Sequence, residues 1–266
     1  MLNSPDAPDR SSPRDLVFLT LAALAARVIY LIVVRPVIDM PDAIHYIAMA
    51  RGFVDGNPWD FDENLPPLFP ALAAVAHFMF SDWEHAFWAA SLAFSPLLVL
   101  PVYSLSMSLF DRETARLASA MVCLWPWLVD YAVRIAPESV SVTLWFASIA
   151  LTYRAMTLGG AAMSFAPLCL FALHLARPEG TFIMIGAPFA ASVFAWRQPR
   201  ERVRRVIVFG MSCAVLLLAY AASMRLLVGT FTVSYRAPLP GDVADYFSRG
   251  AVDAARTFMR LSFDVL

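Results

Sequence analysis

Seven long apolar stretches, at 16–34, 88–110, 117–133, 139–156, 161–176, 180–196 and 206–226, leave this chain few ways to fold. A helix needs about 20 apolar residues to cross the hydrocarbon core of a bilayer. Within lipid every backbone N–H and C=O must be satisfied by the protein itself, which favours helices. The pattern predicts an all-α, polytopic membrane helix bundle of about seven spans. Only 15% of the 266 residues are charged and 60% are hydrophobic, where a soluble domain carries roughly 25% charged residues. A net charge of -1 argues against a nucleic-acid partner, because no bulk basic field is present. Cys123, Cys169 and Cys213 fall inside apolar runs. They read as small buried apolar residues, with neither a disulfide framework nor a zinc site implied.

Arginine sets the expected orientation. There is no lysine in the chain; all 20 basic residues are arginine. Arg10 and Arg14 precede the first stretch, Arg112 and Arg116 follow the second, Arg154 follows the fourth, and Arg197, Arg200, Arg202, Arg204 and Arg205 follow the sixth. With the N-terminus inside, all of these groups are cytoplasmic, as the positive-inside rule requires. Residues 1–15 then form a disordered cytoplasmic tail, 16–236 the transmembrane module, and 237–266 a polar tail on the outer face. The apolar segment 65–80 competes as an eighth crossing. Counting it would carry the 197–205 arginine cluster outside, so it reads as a helix lying at the outer surface or dipping in and out. The first outer loop is consequently long and contains interfacial helices.

That loop opens with Asp39-Met40-Pro41-Asp42-Ala43-Ile44-His45-Tyr46. Proline suits the first turn of a helix, which would place Asp42 and Tyr46 one turn apart on a shared face. The ordinary role for Asp39 and Asp42 is capping of free N–H groups at a helix start. Further polar residues share the outer side: Glu138 opens the fourth stretch, and Arg177-Pro178-Glu179-Gly180 forms a tight turn between the fifth and sixth. Arg225 ends the last. Arg27 lies inside the first stretch, where an arginine at mid-membrane costs ~2.5–3.5 kcal/mol on insertion scales. It either snorkels to the surface or faces a polar cavity and meets an anion there. Acids on one side and arginines on another suit a phosphate-linked lipid donor and a hydroxyl or amine acceptor. Arginine pairs naturally with phosphate, and a carboxylate beside a hydroxyl acts as its base. The four histidines show no metal-ligand spacing, and no glycine-rich phosphate loop is present.

The order of short motifs is distinctive: Pro41-Asp42-Ala43-Ile44-His45-Tyr46, then Pro66-Pro67-Leu68, then Ala136-Pro137-Glu138-Ser139, then Ala176-Arg177-Pro178-Glu179-Gly180. Over roughly 16–236 the chain resembles the GT-C membrane glycosyltransferases. Within them it is similar to the polyprenyl-phosphate-sugar-dependent group that includes protein O-mannosyltransferases and lipid A aminoarabinose transferases. The resemblance implies inverting transfer of a sugar from a polyprenyl-phosphate donor to an acceptor on the outer face. It implies Asp42 as the catalytic carboxylate, with Asp39, Tyr46, Pro66, Pro67, Arg27, Glu138, Arg177 and Glu179 around the substrate. No cofactor or metal is implied. The expected setting is a bacterial inner membrane, with the N-terminus cytoplasmic and the C-terminus outside. Two departures stand out: the family's second acid is Ala43 here, and its basic residue before the two prolines is Leu65. The chain also has fewer spans than the family pattern, as an N-terminal module would, or one completed by a further membrane subunit. The rival functions are a transporter or flippase for a lipid-linked or small polar substrate, and a non-catalytic assembly subunit.

Overall fold

The computed structural model describes residues 13–34, 40, 42–56, 65–195 and 200–227. Among these, all regular structure is helical: α1 (Pro13–Val34), α2 (Ala43–Asp55), α3 (Leu68–His77), α4 (Trp83–Phe94), α5 (Val99–Leu109), α6 (Arg112–Leu124), α7 (Pro126–Tyr131), α8 (Glu138–Thr157), α9 (Ala162–Ala176), α10 (Glu179–Ala195) and α11 (Arg200–Leu227). A short 3-10 turn, Ser95–Leu98, joins α4 to α5. Three helical segments are long and apolar enough to cross a bilayer: Pro13–Val34, Trp83–Leu109 and Arg200–Leu226. Leu68–His77, Ala162–Ala176 and Glu179–Val193 are apolar but shorter. Large apolar side chains face outward along these helices, among them Phe18, Ile29, Phe182, Phe189 and Val215. Such a surface suits lipid and not water.

The expected stretches and the observed helices correspond closely, with instructive differences at their ends. Helix α1 begins at Pro13, so Arg14 and Asp15 are helical and not part of a tail. Asp15 explains the earlier start: its carboxylate accepts from Arg116 Nε at 2.8 Å and Arg112 Nε at 3.0 Å, pinning the first turn to α6. The predicted stretch 117–133 is two helices, broken at Trp125 before Pro126. Segment 65–80 contains α3, whose Phe69, Pro70, Ala73 and Ala74 are buried while Val75, Phe78 and Met79 are exposed. Residues 1–12 and 228–266, which hold most of both expected tails, lie outside the described residues.

Apolar clusters organise the packing, and three of them span most of the helices. The first joins α2, α3 and α4 to the start of α8 and the end of α9, through Tyr46, Phe69, Phe87, Ile135, Val140 and Ala176. Phe69 is its centre, edge-on to Tyr46 at 5.6 Å and tilted against Phe87 at 5.0 Å. The second joins α8, α9, α10 and α11 through Ala155, Leu170, Met184 and Phe209. The third joins α1, α5 and α6 through Ala23, Val99 and Cys123.

Polar contacts sort the helix ends into two groups. Asp15, Arg112 and Arg116 meet at one end, and there Arg205 donates to the Thr157 carbonyl at 3.0 Å, tying the start of α11 to the end of α8. The start of α8 and the end of α9 lie at the other end, beneath α2 and α3. Arg177-Pro178-Glu179-Gly180 makes the hairpin from α9 to α10, with Gly180 N–H donating to the Arg177 carbonyl at 3.0 Å. A Cβ on Gly180 would stand 2.6 Å from the His174 backbone, so only glycine allows this approach.

Replacing Gly180 with alanine must move α10 away from α9, because the clash is with backbone. The expected loss is about 3 kcal/mol, the upper part of the usual overpacking range, read as a lowered midpoint of unfolding in mixed micelles. An unchanged midpoint would show that the hairpin does not need the close approach.

Candidate functional site

Helix α2 starts where the sequence pattern places it, but its first residue behaves unexpectedly. Asp42 occupies the N-cap position with helical backbone angles, φ -76° and ψ -11°, and its side chain makes no capping hydrogen bond. An ordinary capping aspartate has extended angles and accepts from the N–H two or three residues on. Asp82 and Asp111 in this chain do so, accepting from His85 and Thr114. At Asp42 only the backbone carbonyl is used, accepting from Tyr46 N–H at 3.0 Å. The capping role expected from the sequence is therefore not what its carboxylate performs; the side chain is exposed. Ala43, Tyr46, Met49 and Ala50 are buried and anchor the helix in the first cluster. Asp42 and Tyr46 lie one turn apart as the spacing predicts, but Asp42 is exposed at the helix start while Tyr46 is a core residue, 4% exposed.

The second element is an ion-pair bridge at the same end of the bundle. Arg177 Nη1 donates to Glu138 Oε1 at 2.9 Å and Arg177 Nε to Glu179 Oε2 at 3.2 Å. One guanidinium therefore connects the start of α8 to the α9–α10 hairpin. Burial works to lower the Arg177 pKa, but the charges of Glu179 and Glu138 outweigh it and hold the group protonated. Its side chain stays 36% exposed, so an outside anion can reach it. Glu138 Oε2 is buried without a hydrogen-bond partner. Ile135, Val140 and Ala176, the apolar neighbours of this bridge in sequence, belong to the cluster that seats α2. Asp42 and Arg177 are thereby tied to one end of the molecule.

Arg27 takes neither of the roles expected for it. It is fully buried, so it does not snorkel, and its contacts are neutral oxygens. Nη1 donates to the carbonyls of Ala23 at 2.9 Å and Cys123 at 3.1 Å, Nη2 to that of Val122 at 3.4 Å, and Nε to the Ser95 hydroxyl. The reason lies in Pro126. Proline has no N–H to offer the carbonyl four residues back, and that carbonyl belongs to Val122. Arg27 supplies the missing donor and places positive charge at the C-terminus of α6, where the helix dipole favours it. This is a structural role, which removes Arg27 from the substrate-binding set.

Pro66 is buried and Pro67 forms the N-cap of α3, so both position α3. Asp39 lies outside the described residues, as do the acids Asp60, Asp62 and Glu63. Of the expected site residues, Asp42, Tyr46, Pro66, Pro67, Glu138, Arg177 and Glu179 gather at one end of the bundle. Among the described residues no group of three histidine, cysteine or acidic side chains is arranged to hold a metal ion.

One polar cluster escaped the sequence reading. Asp130 accepts from Tyr30 Oη at 2.8 Å and from Arg134 Nε at 2.6 Å. With Tyr30 and Trp127 it borders a cavity of about 650 Å³ between α1 and α7. The available signal was an acid inside an otherwise apolar stretch. No family model matches this chain, and no curated protein does.

Substituting Arg27 by methionine leaves the Val122 and Cys123 carbonyls without a donor. At ~1–3 kcal/mol for each buried group left unsatisfied, the variant should lose about 2–5 kcal/mol, with lysine recovering part. Unfolding in graded denaturing detergent measures this, and wild-type stability in the methionine variant would overturn the capping role.

Proposed function

We propose that the chain is a seven-span membrane module that transfers a sugar from a polyprenyl-phosphate carrier to an acceptor at its outer face, in the manner of GT-C enzymes. The observation that carries this reading is the placement of an uncapped carboxylate, Asp42, and a bridged but accessible guanidinium, Arg177, at the same end of the helix bundle. In the proposed step the acceptor oxygen attacks the anomeric carbon from the face opposite the phosphate. The bond from that carbon to the phosphate oxygen breaks, and the phosphate leaves with its electron pair. The acceptor proton passes to Asp42, which is a stronger base toward the hydroxyl as the new bond forms. Arg177 steadies the charge growing on the phosphate, while Glu138 and Glu179 hold the guanidinium in place. A membrane-level site suits such a donor, because the prenyl tail holds the phosphate at headgroup depth.

This reading also takes the shorter helices α6–α7, α8, α9 and α10 as crossings. Local thinning of the bilayer and snorkelling of flanking residues accommodate spans below the usual length. Orientation then follows from arginine: the end holding Arg112, Arg116, Arg154 and Arg205 faces the cytoplasm of a bacterial inner membrane, and the Asp42 end faces outward. A non-catalytic assembly subunit is the second reading. It is favoured by Ala43 and Leu65 at positions where the family carries charge.

Transfer from a short polyprenyl-phosphate sugar by purified protein in vesicles tests the proposal. Asp42→Asn should lower the rate by ~10²–10⁴-fold, the usual contribution of a general base, with unfolding unchanged because the side chain caps nothing. Arg177→Gln should lower the rate and also cost about 1–2 kcal/mol, since it leaves Glu138 partly buried and unpaired. Equal rates for wild type and Asp42→Asn would remove the carboxylate from the reaction. No turnover by wild type, together with co-purification of a larger integral partner, would favour the assembly subunit.

A further inference from the structure

At the end remote from Asp42, a half-enclosed cavity of about 520 Å³ lies among α8, α9, α10 and α11. That volume falls within the ~300–1,000 Å³ range of small-molecule sites. Ser148, Thr152 and Thr157 of α8 line one wall, Ile183 and Ala187 of α10 another, and Arg202 of α11 lines it beside Thr157's end of α8. From Thr157 to Ser148 the cavity follows α8 for roughly 13 Å at the rise of a helix. A single leaflet is about half of the ~30 Å hydrocarbon core, so the depth is that of one leaflet.

Charge is concentrated at that end. The first six residues of α11 carry four arginines and one glutamate. That glutamate, Glu201, is engaged by Arg204 at 3.3 Å and Arg205 at 3.6 Å. Arg205 also donates to the Met156 and Thr157 carbonyls, fixing α11 against the end of α8. The net charge there is positive, and Arg202 is the member that borders the cavity. Further in, Thr152 Oγ1 is buried without a hydrogen-bond partner, roughly 7 Å along the helix from Thr157. A lipid whose phosphate sat beside Arg202 would bring an ester carbonyl toward that hydroxyl.

We propose that this cavity holds one acyl chain of an anionic phospholipid drawn from the leaflet on the arginine side, with its phosphate beside Arg202. The apolar walls take the chain, and the basic end selects an anionic headgroup over a zwitterionic one. The proposal rests on the membrane setting alone and not on sugar transfer.

Wild-type protein in nanodiscs containing phosphatidylglycerol with a diazirine on its acyl chain gives the first test. Photolabel should concentrate on peptides covering 148–157 and 183–191. Labelling no heavier there than on outward-facing residues of other helices, such as Phe18 and Val215, would overturn the proposal. The second test extracts protein from mixed phosphatidylglycerol and phosphatidylcholine vesicles and counts retained lipid by native mass spectrometry. Wild type should retain phosphatidylglycerol with about fivefold preference, the equivalent of one arginine–headgroup contact. Arg202→Gln should bring the ratio close to one, and Ala187→Phe should remove retention of both lipids. Equal retention of the two lipids by wild type, or undiminished retention in a folded Ala187→Phe variant, would refute it. Neither readout needs turnover, so each stands or falls separately from the role given to Asp42.

Discussion

A single buried guanidinium, that of Arg27, makes the broken helix α6–α7 tolerable. Proline in an apolar segment frees a carbonyl, and in lipid no water can satisfy it. Arg27 spends its donors on Ala23, Val122, Cys123 and Ser95, tying α1 to α6 and to the turn between α4 and α5. Nearby, the Thr143 hydroxyl of α8 lies 2.8 Å from the Ser139 carbonyl of its own helix and 3.2 Å from the Phe94 carbonyl at the start of the 3-10 turn. The backbone carbonyl released at Pro126 is met by a polar side chain from a neighbouring helix. Those cross-helix contacts fix how the helices sit against one another.

The candidate site grows out of that scaffold. Because α7 departs from the line of α6, Asp130 and Arg134 reach the same region as Tyr30. The chain then turns into α8 at Glu138, which meets Arg177 from the α9–α10 hairpin. The hairpin can close only because Gly180 lies against the α9 backbone. Helices α2 and α3 sit over this end, held by Tyr46, Phe69 and Phe87. The acid-bearing helix is thus positioned by packing on its buried face, while its exposed residue, Asp42, is left available.

Several elements were legible from residue patterns. Stretches 139–156, 161–176 and 180–196 correspond within a residue or two to α8, α9 and α10, since long apolar runs between polar breaks have one economical conformation. The tight turn at 177–179 was legible from its proline and glycine. The start of α1 was not, because Arg14 and Asp15 look like tail residues until Arg112 and Arg116 are brought beside them. Asp130 is hidden inside an apolar run for the same reason: its partners, Tyr30 and Arg134, come partly from another helix. Asp42 and Tyr46 are one turn apart as their spacing implies, but spacing along a helix does not say that the first is exposed and the second buried in the core.

Taken alone, the sequence determined that this chain is helical, apolar and segmented, because hydrophobic periodicity and turn residues act locally. The identity of each polar residue's partner was decided only by the tertiary structure. Arg27 became a cap and not an anion site, Asp42 an uncapped carboxylate, and Arg177 a bridge between two glutamates. Each outcome depends on which carbonyl or carboxylate lies within about 3 Å of the side chain, the distance at which hydrogen bonds form. Such distances are set by helix packing across dozens of intervening residues, which no local pattern encodes.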